Sequence, residues 1–140
     1  MQLELSRLIE ALPGLVWTAL PDGRAEFLSQ RWCEYTGLSL DQAVGFGWHC
    51  ALHPEDRVPV LEYWRSLLES GMPGEVRARL RRYDGVYRRF LFSAAPLTDQ
   101  SGRVVKWCGS NTDIEETLKA QEVVGLLMAV GSLILLVRFA

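Results

Sequence analysis

Histidine is nearly missing from this 140-residue chain, which has two, and cysteine is scarce at three. Cys33, Cys50 and Cys108 are odd in number and form no CxxC pair or Cys/His cluster. A zinc site and a disulfide framework are therefore not expected, and free thiols in a reducing cytoplasm fit best. Charge of one sign is lacking as well: 15 Lys plus Arg against 17 Asp plus Glu leave a formal charge of −2. Without a basic field, no nucleic-acid partner is expected. G-x-S-x-G, P-loop and paired-carboxylate patterns are missing, so the chain is not expected to be an enzyme. His49 beside Cys50 is not a thiol–base pair, because neighbours on a helix point about 100° apart. The first ten residues alternate charge with leucine and lack the basic start and apolar middle of an export signal.

With 49% apolar residues, a chain of this length can bury one core, and one domain is expected. Leu3, Leu5, Leu8, Ile9 and Leu12 recur at helical spacing until Pro13-Gly14, which predicts a lead-in helix over 1–13. Strands are predicted over 15–20 and 24–28, joined by an Asp22-Gly23 turn. Ser39 with Gln42 forms a capping box, and His53-Pro54-Glu55-Asp56 opens a longer helix to about Ser70 with acids at the positive end of the helix dipole. Val76, Ala78 and Leu80 then alternate with Arg77, Arg79 and Arg81, a strand with one buried and one solvated face. Turns at Asp84-Gly85 and Ser101-Gly102 separate strands over 86–95 and 103–112. The last is apolar at both Trp107 and Cys108, as in a central strand covered on both sides. Asp113 with Glu116 repeats the capping-box pattern and opens an exit helix. Helices segregated from an antiparallel sheet give an α+β class. The expected units are the lead-in helix, a core over 14–113 and a C-terminal helix over 114–140.

Several runs carry a family resemblance. Leu12-Pro13-Gly14-Leu15-Val16-Trp17, Asp22-Gly23-Arg24 and Tyr35-Thr36-Gly37-Leu38-Ser39 resemble the opening half of PAS domains. Gly47-Trp48 with His53-Pro54-Glu55-Asp56, then Tyr83-Asp84-Gly85-Val86-Tyr87-Arg88, and Gly102-Arg103-Val104-Val105-Lys106-Trp107 leading to Thr112-Asp113-Ile114-Glu115, resemble the PAS subclass that precedes bacterial histidine kinases. The resemblance implies a five-stranded antiparallel sheet cupping short helices, with a pocket between them. It also implies a homodimer and a two-component sensor whose kinase or other output domain lies in another segment or partner. Asp113 and Ile114 fall where the last strand hands over to the signalling helix, so they are the expected coupling residues.

For a pocket ligand, the candidates are Trp17, Phe27, Trp32, Trp48, Leu52, Trp64, Phe92 and Trp107, an apolar wall of the usual kind. Flavin-thiol chemistry is disfavoured, since Cys50 lacks the asparagine, arginine and glutamine neighbours of the related light-sensing subclass. Haem is disfavoured because His53 reads as a helix cap, not an axial ligand. The expectation is a pocket holding a small metabolite or nothing, with no tightly bound cofactor. Non-covalent FAD, held by the tryptophans, and a constitutive dimerisation scaffold are the alternatives.

Residues 123–137 carry no charge. As a helix this run would span about 22 Å, short of a hydrocarbon core of about 30 Å. A membrane anchor, a buried dimerisation helix and the truncated start of a membrane region all stay open for it. The expected location is cytoplasmic, with membrane association through this tail as the variant.

Overall fold

The computed structural model describes residues 14–115 together with residues 7, 10, 11, 124–126, 128 and 129. The elements are β1 (Leu15–Ala19), β2 (Ala25–Leu28), α1 (Gln30–Thr36), α2 (Leu40–Ala43), a 3₁₀ helix (Gly47–Ala51), α3 (Pro54–Ser70), β3 (Gly74–Arg81), β4 (Tyr87–Thr98) and β5 (Val104–Asp113). All strand pairs are antiparallel and the sheet order is β2-β1-β5-β4-β3. This is the expected α+β architecture, with the helical segments between β2 and β3 packed on one face. Among the described residues no helix is long and apolar enough to cross a membrane. The expectations for the lead-in helix and for the tail over 123–137 lie largely outside the described residues.

Local chemistry sets the helix starts. Ser29 caps α1 by accepting from the Trp32 amide at 3.2 Å. Ser39 and Gln42 form the predicted capping box on α2. His53 caps α3, its Nδ1 accepting from the Glu55 N–H at 3.1 Å, while its ring meets Tyr87 edge-on at 4.8 Å. Each cap satisfies an amide that a helix would otherwise leave open.

The helical segments also close the sheet edges, where unpaired backbone would invite aggregation. Ala25 of β2 exchanges two backbone hydrogen bonds of 2.8 Å with Gly45. On the other edge Leu52 bridges Leu80, and the His53 N–H donates to the Arg79 carbonyl at 3.0 Å. Arg79 therefore does not belong to a solvated stripe. Its amide, Nε and Nη2 all donate to Asp56, and Nη2 also reaches Glu55. On neighbouring β4, Arg89 likewise bonds a carboxylate, that of Glu115. Their partners come from segments far along the chain, which strand alternation does not encode.

β5 is indeed central, with Trp107 only 1% exposed. Cys108, on the opposite face, is half-buried, so coverage from both sides is not realised among the described residues. That outer face carries polar contacts instead, with Glu26 accepting from Thr18 and pairing with Lys106 across β2, β1 and β5.

The Asp56 carboxyl is held below its ordinary value of 3.8, chiefly by the hydrogen bonds from the Arg79 side chain. The stabilisation it brings is full above that ordinary value and fades as pH falls through the depressed one. Asp56→Asn is expected to cost about 1 kcal/mol at pH 7, with the gap narrowing as pH falls below 3.8, measured by urea unfolding across pH. An equal gap at both ends of the range would contradict this assignment.

Candidate functional site

A cavity of about 60 Å³ lies between the inner face of the sheet and the helices. Its sheet side is formed by Trp17 and Ala19 of β1, Val76 and Leu80 of β3, Phe92 and Ala94 of β4, and Asn111 of β5. Trp32 of α1, Trp48 of the 3₁₀ helix, and Val60, Tyr63, Trp64 and Leu67 of α3 close the opposite side. Strand parity explains the sheet contribution. Trp17 pairs with Gly109, Phe92 with Asn111, and Ala94 with Gly109, so these residues share one face.

Trp17 is the hub of the wall. Its ring packs edge-on to Trp64 at 5.7 Å and 88°, and Trp64 packs edge-on to Trp107 at 5.1 Å and 74°, arrangements that aromatic quadrupoles favour. The Trp17 indole N–H donates to Asn111 Oδ1 at 3.0 Å. The Trp64 indole N–H donates to the Gly23 carbonyl at 3.1 Å, tying α3 beneath the β1–β2 turn. Gly23 serves two ends there: its φ of 95° suits the turn, and a Cβ would stand 2.5 Å from a Leu68 methyl. At Gly109 a Cβ would come within 2.1 Å of the Trp17 ring, so only glycine lets that indole rest against β5.

Trp17, Trp32, Trp48, Trp64 and Phe92, named from the sequence, thus meet at the cavity. Phe27, Leu52 and Trp107 do not line it. Phe27 pairs with Thr18, which puts it on the face opposite Trp17. Leu52 is fully enclosed in the core beneath β3. Trp107 sits behind Trp64, in a second cluster with Ala19 and Leu67. Asn111 and Tyr63 were not anticipated. Asn111 is 3% exposed, and its one sequence signal is that it lies four residues beyond Trp107, on the same side of β5.

Asp113 ends β5 beside the cavity strand. Its carboxylate accepts from Arg88 Nε at 2.6 Å and from the Glu115 amide at 2.9 Å, while the Ile114 N–H donates to the Arg89 carbonyl at 3.0 Å. Glu115 in turn accepts from the Arg89 amide at 3.0 Å and from its guanidinium. The partner expected in the capping box, Glu116, lies outside the described residues. Tyr35 connects this corner to α1. It packs on Phe90 at 5.2 Å, and its enclosed hydroxyl has no hydrogen-bond partner among the described residues. Burial, and then the Asp113 charge, push its pKa up.

Among the described residues no charged side chain, cysteine or histidine lines the cavity. A flavin nucleotide does not fit this wall, which offers no cation to its phosphate, and Cys50 is not placed for an adduct. The same holds for haem, since His49 and His53 are both off the wall. Burial also pushes the Cys33 and Cys108 thiols up, the wrong direction for a reactive thiolate. No group of metal-ligating side chains exists among the described residues.

Gly109→Ala is expected to displace the Trp17 ring and to break its bond to Asn111, costing about 1–3 kcal/mol. Urea unfolding and a shift in tryptophan emission check this; an unchanged midpoint and spectrum would refute the packing role.

Comparison with known proteins agrees with this geometry. A family model described as the PAS fold matches residues 25–111. The uncharacterized protein y4lL of Sinorhizobium fredii is 35% identical over 115 residues, covering 82% of this chain and 14% of its own length. The peroxide stress-activated histidine kinase mak1 of Schizosaccharomyces pombe is 32% identical over 118 residues, 84% of this chain and 7% of the kinase. This chain thus spans only a small part of the curated relatives it matches. Among solved structures, an RNA-binding Light-Oxygen-Voltage receptor superposes with a TM-score of 0.71 at 19% identity, over 92% of this chain and 37% of that one. The N-terminal domain of a diguanylate cyclase with a PAS/PAC sensor from Marinobacter aquaeolei gives 0.65 at 22% identity, over 74% and 96%. Such identities establish a shared fold, and the sequence relatives, the matching model and the sheet order together place this chain in the PAS family.

Proposed function

We propose that this PAS domain is a sensory module that carries no catalysis of its own and passes the state of its cavity to a C-terminal segment through the end of β5. The observation that carries the reading is the paired tether at that end. Asp113 holds Arg88 and the Glu115 amide, and Glu115 holds Arg89, so β4, β5 and the first residue of the exit are joined by charge-assisted hydrogen bonds. Two residues earlier on β5, Asn111 forms part of the cavity wall. A change at the wall that tilts β5 would therefore alter the geometry from which the exit segment departs.

The output is a histidine kinase or another signalling domain elsewhere in the protein. This is supported by the relation to mak1 and by the small share of its relatives' length that this chain covers. Sensing of peroxide by the thiols of Cys33 or Cys108 is not favoured, given that burial raises both. A homodimer in a cytoplasmic setting completes the reading, as the family resemblance suggests.

Asp113→Ala is expected to cost about 1 kcal/mol of stability, the loss of a cap, and to make the output of the full-length protein insensitive to its stimulus. Circular dichroism checks folding and autophosphorylation of the attached kinase checks regulation. A folded variant with unchanged regulation would overturn the coupling role.

A further inference from the structure

The cavity wall contains an unspent polar group whose orientation is fixed. Asn111 Oδ1 accepts from the Trp17 indole N–H at 3.0 Å. An indole nitrogen can only donate, so the amide cannot turn over without losing that bond. The Asn111 NH₂ is thereby committed to the other side, and neither of its N–H groups has a partner among the described residues. Asn111 is 3% exposed and lines the cavity. The Asn111 NH₂ therefore opens on accessible space within an otherwise apolar wall, where a ligand acceptor can take the place of water.

The rest of the wall points the same way. The Trp64 indole N–H is already spent on the Gly23 carbonyl. The Tyr63 hydroxyl oxygen accepts from the Glu75 amide at 3.2 Å, which leaves its proton, a second donor. A charged ligand would lose its hydration with no counter-charge on the wall to replace it. The cavity, of about 60 Å³, accommodates a compound about the size of a single ring.

We propose that the cavity binds a small, neutral, single-ring compound bearing a hydrogen-bond acceptor, with the Asn111 NH₂ reading the acceptor and the aromatic wall holding the ring. This assignment rests on the sensory reading above and supplies the chemical class of its signal.

Three probes of nearly equal shape separate the contributions: acetophenone, which has a carbonyl acceptor; α-methylstyrene, in which a methylene replaces that oxygen; and benzoate, which carries a charge. Binding to the chain is measured by tryptophan fluorescence and by the shift in melting temperature. Acetophenone should bind at least about tenfold more tightly than α-methylstyrene, and benzoate should not bind at millimolar concentration. Asn111→Leu should bring acetophenone and α-methylstyrene to within about threefold of one another. Should that variant fail to fold, Asn111→Asp replaces the donors at unchanged shape and should abolish the preference for acetophenone. Equal affinity for the two neutral probes, tighter binding of benzoate, or no binding of any of them to the wild-type chain would overturn the assignment. Such failure is distinct from failure of the sensory reading, which falls only if Asp113→Ala leaves regulation intact.

Discussion

The contact between Trp17 and β5 is the constraint on which the rest of the structure depends. The indole can lie against the strand only because residue 109 is glycine. From there its N–H reaches Asn111, and its ring offers an edge contact to Trp64. Trp64 then locks α3 beneath the β1–β2 turn through Gly23. A single aromatic side chain thus sets the orientation of the cavity amide, the seat of the long helix and the spacing between sheet and lid. Aromatic rings bury large areas and favour a narrow range of geometries, which suits them to hold a cavity open without collapse.

The features legible in the sequence are those decided by neighbours along the chain. Turns at Asp22-Gly23 and Asp84-Gly85, the capping box of Ser39 and Gln42, and the His53 cap all depend on groups within a few residues, and all were found where expected. Features set by distant pairing were less legible. Trp17 and Asn111 are 94 residues apart, and an asparagine near the end of a strand reads as solvated until β1 and β4 are laid beside it. Phe27 was expected at the wall because it is aromatic and lies on a strand of the sheet. Its side was decided by pairing with Thr18 next to a register irregularity, and a one-residue change of register exchanges the two faces of a strand. Arg79 of β3 was misjudged for a related reason. Alternation says which way Arg79 points, while the carboxylates that meet it come from the start of α3.

The sheet is thus closed at its edges and tethered at its exit. Bridges from Gly45 and Leu52 cover β2 and β3, whereas β5 ends in a cluster of four charged residues that joins two strands to the departing chain. The central strand, bonded along its length to both β1 and β4, is the natural route for a displacement that starts at the cavity. The short path from Asn111 to Asp113 along one strand gives that route a physical basis, since adjacent residues of a paired strand cannot move independently without breaking ladder hydrogen bonds.

Filling the cavity without touching the exit tests this picture most directly. Ala94→Leu places added bulk on the β4 side of the wall, opposite Gly109, and the amide signals of Ile114 and Glu115 can be followed by nuclear magnetic resonance in the wild type and the variant. Transmission through β5 predicts that both amides shift and change their hydrogen-exchange protection together with Asn111. Shifts confined to residues around the cavity, with Ile114 and Glu115 unmoved, would contradict it.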